Sequence, residues 1–172
     1  MSMKVVCAWC QKTIQEGPEA EAEVSHGICE ECARRVRGAG AKSMAEFIRT
    51  VGIPVMVLDG DFKVVDMNDL AENALGTTRA ESRGSSVGTT ISCHGAGLPG
   101  GCGNSETCPG CQLRRHLLAT YADAQPRFSQ VSRHELVADG APRSLQIRFS
   151  TGKIGGVVLL LLEDVAKAGA AS

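Results

Sequence analysis

Aromatic residues are scarce: six in 172, namely Trp9, Phe47, Phe62, Tyr121, Phe128 and Phe149. A surface that stacks nucleobases needs several rings on one face, so the shortage argues against a single-stranded nucleic-acid platform. It also leaves core burial to Val, Leu and Ile. An excess of one charge is missing too: 18 Lys and Arg stand against 19 Asp and Glu, for a net charge of −1. The basic residues are scattered, so the electrostatic footprint of a nucleic-acid binder is absent. Long apolar runs are lacking as well. The longest aliphatic stretch, Val157 to Leu162, falls far short of the roughly 18–20 residues that cross a bilayer. Met1 to Cys10 has no apolar segment followed by a small-residue cleavage site. Together these absences predict a cytoplasmic protein that engages neither membrane nor nucleic acid. With 43% hydrophobic residues the chain is not generally disordered. Its length suits one domain plus a small appendage.

Cysteine, by contrast, is abundant, with eight residues in two groups. In a reducing compartment thiols in such groups are metal ligands more often than disulfides. Cys7-Ala8-Trp9-Cys10 and Cys29-Glu30-Glu31-Cys32 are two Cys-x2-Cys pairs with 18 residues between them. Two residues between thiolates let both sulfurs reach one tetrahedral ion, and two such knuckles at this separation form a zinc pattern. About 35 residues with one Trp and a polar centre (Gly17 to Glu23) could hardly form a core without metal. Four cysteines fill the site, so the zinc is expected to be structural, with His26 a polar or outer neighbour rather than a substitute ligand.

The second group, Cys93, Cys102, Cys108 and Cys111, has spacing Cys-x8-Cys-x5-Cys-x2-Cys. Its first three members fall in a stretch from Gly84 to Gly110 that is rich in Gly, Ser and Thr and has no helical or strand period, and Cys111 starts the helix that follows. A structureless loop of that length is unusual in a compact domain unless something orders it. A metal would do so, and Gly95, Gly97, Gly100, Gly101 and Gly103 let the backbone wrap closely and offer N–H groups to sulfur. Structural zinc and an iron–sulfur cluster both remain open, the spacing matching neither common ferredoxin pattern. His94, next to Cys93, could replace one ligand. Covalent c-type haem is disfavoured because Cys111 is followed by Gln112. Neither a Ser/His/Asp arrangement, nor His-Glu-x-x-His, nor a phosphate loop is present, so no enzyme activity is expected.

The small-residue tract beginning Gly38-Ala39-Gly40-Ala41 reads as a linker, dividing the chain into a four-cysteine module (1–37), a linker (38–42), a larger domain (43–166) and a tail (167–172). In the larger domain Ser43 and Glu46 can form a capping box for a helix ending near Gly52 and Pro54. Pro54–Leu58 and Phe62–Asp66 read as strands about the turn Asp59-Gly60-Asp61. A helix starting at Asp66 or Asn68 runs through Leu75 and closes at Gly76. Leu113, Leu117 and Tyr121 mark a helix from Cys111 that Pro126 stops. Arg127–Val137, the alternating Leu145, Ile147 and Phe149, and Val157–Leu162 are strands, with a hairpin turn at Asp139-Gly140-Ala141-Pro142 and a break at Gly155-Gly156. The order favours an antiparallel α+β sheet.

Residues 43–166 resemble a PAS domain. The resemblance is carried by Ile53-Pro54-Val55-Met56-Val57-Leu58-Asp59 with Gly60, by Val64-Val65-Asp66-Met67-Asn68 leading to Ala71 and Leu75-Gly76, and by the exit Leu162-Glu163-Asp164-Val165. It implies a five-stranded antiparallel sheet with flanking helices and a sensory, dimerising module that holds cofactors between sheet and helices. The first cysteine group, with Ser25-His26-Gly27-Ile28, resembles small zinc-ribbon-like modules beside PAS domains in bacterial sensors. The second, with His94 and the stretch Cys108-Pro109-Gly110-Cys111-Gln112-Leu113-Arg114, resembles a cysteine-bearing PAS subgroup of such sensors and implies a metal-type site there. His116 lies where some PAS domains place a haem ligand, although a lone histidine is more often a surface or core residue. His134 has no evident partner, and the Asn-Cys-Arg-Phe motif of flavin-reactive light sensors is absent.

These readings converge on a non-enzymatic signal-transduction module. It is expected to detect a redox, gas or metal state through the second cysteine group. Eight residues follow Asp164, so its output is expected to be association with itself or with a protein partner in a signalling pathway, the helix near 43–51 being one candidate surface. The alternative is a zinc-stabilised interaction or adaptor protein that senses nothing.

Overall fold

The computed structural model describes residues 3–17, 24–37, 41–136 and 143–168. Near the N-terminus three short strands, β1 (Val5–Cys7), β2 (Thr13–Gln15) and β3 (Ser25–Gly27), form a sheet in the order β2-β1-β3, followed by helix α1 (Glu30–Arg37). Strand β1 pairs antiparallel with β2 and parallel with β3. Within 18–23, the polar centre lies outside the described residues, as do the tract 38–40, the turn 139–142 and the last residues of the tail.

Helix α2 (Ala41–Arg49) begins two residues before Ser43, so Ser43 sits inside the first turn rather than at the cap. Strands β4 (Val55–Leu58) and β5 (Val64–Met67) follow, then α3 (Asp69–Leu75). The two ends of α3 are set locally. Asn68 accepts the Ala71 N–H as N-cap, and Gly76, at φ 73°, closes the helix by donating to the Glu72 carbonyl.

The glycine-rich stretch is not structureless. It contains single-turn helices α5 (Val87–Thr90) and α6 (His94–Gly97) and a 3-10 turn at Cys108–Gly110, preceded by α4 (Arg79–Ser82). Four-residue turns are too short to leave a sequence period, which explains why none was legible. Helix α7 (Gln112–Asp123) and strands β6 (Arg127–Leu136), β7 (Arg143–Ile154) and β8 (Val157–Ala168) complete the chain. Strand β8 does not stop at Glu163-Asp164; it continues to Ala168 because β7 pairs with it throughout, from Ile154–Val157 to Ser144–Ala168. The break at Gly155-Gly156 is the turn of this hairpin.

The large sheet has five strands in the order β5-β4-β8-β7-β6, every neighbouring pair antiparallel. Helices flank it, as the PAS resemblance implied. Its central strand explains the aliphatic run of the sequence. Val158, Leu160 and Leu162 face one core with Leu113, Leu117, Ile147 and Phe149. Leu159 and Leu161 face a second core with Ile48, Val51, Val36 and Ala33. A strand covered on both faces is apolar at every position rather than at alternate ones. The second face is covered by α2 and the cysteine module. Trp9 stacks on Phe47 with ring centroids 4.3 Å apart and planes 5° from parallel, and its indole N–H donates to the Phe47 carbonyl at 2.8 Å.

Candidate metal centres

Each cysteine of the first group is placed by a different local device. Cys7 ends β1, Cys10 follows in the turn, Cys29 precedes α1 and Cys32 lies in its first turn. The four sulfurs lie within 4.8 Å of one another, with Cys10 and Cys29 at 3.7 Å. Four thiolates at ~2.3 Å from one tetrahedral ion would stand about 3.8 Å apart, so the donor set fits a single zinc-sized ion. Burial works against ionisation at Cys7, but the N–H groups of Cys10, Cys29 and Trp9 outweigh it and bring its pKa to about 7. Burial, reinforced by the neighbouring thiols of Cys29, Cys10 and Cys7, pushes Cys32 strongly upward. Cys7 is thus drawn toward ionisation while Cys32 beside it resists, as in a crowded donor set whose charge a cation would compensate. His26 is not in this group: its backbone N–H donates to Glu163 at 2.9 Å.

Among the described residues this is the one group of three or more ligand atoms that closes to within 4.8 Å. The second group is more widely set. Cys93, Cys102, Cys108 and Cys111 nevertheless line one cavity of 280 Å³, together with His94 and His134. Cys93 opens α6 and is tied to the edge of the large sheet by a bridge to Leu136. Cys108 starts the 3-10 turn, and Cys111 caps α7, its sulfur accepting the Arg114 N–H at 3.4 Å. Cys108 is the most densely supported: Gly103 N–H reaches its sulfur at 3.0 Å and the Ser105 hydroxyl lies at 3.1 Å.

The electrostatics differ along the set. Burial pushes Cys93 and Cys111 up, and the other loop thiols add to the effect. Burial raises Cys108 too, but the Ser105 hydroxyl, the Gly103 and Ser105 N–H groups and the Arg114 cation hold it below the ordinary thiol value. The donor set is sulfur-rich, mutually repulsive when ionised and supplied with N–H groups, which suits a cationic metal group.

Two supports have little sequence signal. Ser105, three residues before Cys108, could have been noticed as a local hydroxyl. Gly88 could not: a Cβ built there would lie 2.6 Å from Cys102 Sγ, so glycine is what lets that sulfur approach α5. Of the histidines, His134 is buried, with Nε2 2.9 Å from the Ser132 hydroxyl, and burial lowers its pKa. His116 packs edge-on against Phe149 at 6.0 Å between centroids, as a core-edge residue does. Its pKa is lowered by burial and then by Arg115 and Arg127.

No family model matches the chain, and no curated protein matches it. Several solved PAS-type domains are similar in structure. A PAS domain of a protein from Colwellia psychrerythraea is 15% identical, with 72% of this chain and 94% of that one covered at a TM-score of 0.47. A domain of a sensory box sensor histidine kinase/response regulator from Geobacter sulfurreducens is also 15% identical, covering 72% and 92% at 0.46. The PAS domain of an HTR-like protein from Haloarcula marismortui is 14% identical, covering 79% and 99% at 0.42. The fold assignment above stands on the sheet order and the flanking helices themselves. No helix among the described residues is long and apolar enough to cross a membrane.

Proposed function

We propose that this chain is a non-enzymatic signal-sensing module with two metal centres of different kinds. The first cysteine group holds a structural zinc that completes a module spanning residues 1–37. The second, in the PAS-like domain of residues 43–166, holds an iron–sulfur cluster that reports a redox, gas or metal state. The observation that carries this distinction is the sulfur spacing. The first group closes to the separation of a single tetrahedral ion. The second surrounds a 280 Å³ cavity without closing to it. Thiolates around a [4Fe–4S] cube stand roughly 6 Å apart, against about 3.8 Å around one zinc.

A cluster supplies one-electron chemistry and a change of charge. The chain's own part is mechanical. Cys93 is bridged to β6 and Cys111 caps α7, so the bonds they make to metal tie the loop to both the sheet edge and a core helix. Losing those bonds frees the loop between them, an order-to-disorder change of the kind that biases association. Output is association with a protein partner or a second copy. The candidate surface on α2 is partly used within the chain, since Ile48 is fully buried and Phe47 stacks on Trp9.

Anaerobic purification followed by metal and acid-labile sulfide analysis tests the assignment. One zinc per chain with iron, sulfide and visible absorption is expected. Two zincs per chain and a colourless protein would sink the sensing reading and leave the structural adaptor.

A further inference from the structure

The four loop sulfurs are not held alike. The Gly103 N–H donates to the Cys108 sulfur at 3.0 Å and the Ser105 hydroxyl lies 3.1 Å from it. Cys111 receives the Arg114 N–H and is the N-cap of a twelve-residue helix. Cys93 has no side-chain cap bond, but its own N–H donates to the Gly88 carbonyl at 2.9 Å and a bridge to Leu136 fixes it to the sheet. Cys102 differs on each count. Among the described residues no hydrogen bond reaches its sulfur. It belongs to no helix or strand, Gly100, Gly101 and Gly103 around it all have positive φ, and its own N–H and C=O make none of the backbone hydrogen bonds that close this turn. What locates it is an absence, the missing side chain of Gly88 beneath its sulfur.

We propose that Cys102 is the exchangeable ligand of the loop centre. Cys93, Cys108 and Cys111 form a fixed tripod, and regulation acts through the fourth metal–sulfur bond. N–H donors to ligating sulfur stabilise the thiolate and orient it, and removing such outer partners costs 10–100-fold in metal affinity. Cys108 and Cys111 have that support, Cys93 is held through its backbone, and Cys102 has neither. In the exchange the bond from metal to Cys102 Sγ breaks, an incoming lone-pair donor such as water or a small thiol takes the position, and the released thiolate takes a proton from solvent. No electron moves. The result is a metal position open to a small ligand on the cavity side, with only the Gly100–Gly103 turn set free.

The inference rests on the metal reading above, but its test separates the two. The full chain and its Cys93→Ser, Cys102→Ser, Cys108→Ser and Cys111→Ser variants are purified anaerobically and assayed for iron, zinc and sulfide. The Cys102→Ser protein is expected to keep its loop metal, while the other three lose most of theirs. Gly88→Ala, which pushes Cys102 outward, is expected to resemble Cys102→Ser. Equal loss in all four serine variants overturns the proposal. A second measurement holds even where a variant misfolds. In the native wild type, N-ethylmaleimide should modify Cys102 about ten-fold faster than the other loop cysteines, by peptide mass mapping, in line with its missing outer partners. Uniform rates also overturn it. If the wild type carries zinc in the loop, the cluster reading fails, and the same variants report the ligand order through zinc retention. A loop without metal in the wild type removes both.

Discussion

Asn68 joins three elements through one buried polar side chain. Its side chain is almost fully buried and makes four bonds to backbone: Oδ1 accepts from Val55 and Ala71 N–H, each at 3.0 Å, and Nδ2 donates to the Ile48 and Ile53 carbonyls at 3.1 and 2.8 Å. It thus joins the end of α2, the start of β4 and the N-terminus of α3. Asn68→Ala leaves buried backbone groups unpaired and removes the cap, a loss of about 3 kcal/mol. The expected result is a lower urea midpoint with an unchanged slope. A shift within error of zero would show that relaxation or water replaces these bonds. The capping role was legible because Asn before an amphipathic run is a local signal. The bonds to Ile48, Ile53 and Val55 span 13 to 20 residues and left no mark in the sequence. The same contrast holds at the loop centre: the cysteines announce themselves, and Gly88 and the N–H donors do not.

At the scale of elements, capping residues located α3 and periodicity located α7 and the alternating strand β7, whereas lengths and starts depended on partners elsewhere. Strand β8 outruns its aliphatic core because β7 pairs with it, and α2 starts before its expected cap. The junction of α7 and β6 offers a pH test. Arg127, on β6, bonds the Asp123 carboxylate at the end of α7 through two nitrogens, at 2.7 and 3.1 Å. Chiefly through that guanidinium, helped by the Gln125 N–H, the Asp123 pKa falls from 3.8 to about 2. A carboxylate with a depressed folded pKa contributes stability above its unfolded pKa and loses it as pH falls through the folded one. Stability attributable to Asp123 should therefore be complete above pH 3.8 and fade toward pH 2. Asp123→Asn should flatten the acid limb of a denaturation–pH curve across that window. The pair is solvent-exposed, so the effect should be small and reduced by salt. An acid limb identical to wild type would assign the acid sensitivity to other carboxylates.

For the molecule as a whole, the question is how the cysteine module and the five-stranded sheet act as one body. Part of the answer is apolar, through Trp9 on Phe47 and the second core. The rest is a buried carboxylate. Glu163 on β8 is 2% exposed at its side chain, and its Oε1 accepts from the His26 N–H at 2.9 Å and from the hydroxyls of Ser25 and Ser150. Ser25 and His26 belong to β3 of the module, Ser150 to β7. The bond network therefore spans both sheets around the strand that leads to the C-terminus. Glu163→Leu removes the common acceptor while keeping volume, leaving the His26 N–H without it and the Ser25 and Ser150 hydroxyls, 3.0 Å apart, only each other, at a cost on the order of 3 kcal/mol. Glu163→Gln keeps one acceptor oxygen and should lose less. If the carboxylate is the coupling element, hydrogen exchange in Glu163→Leu should rise first at the amides of β1 and β3, with the centre of the large sheet still protected. The module would then loosen as a unit, with its four sulfurs still grouped within one another's reach. Uniform deprotection of both sheets would mean instead that Glu163 supports the global fold, and that the apolar contacts alone join the module to it.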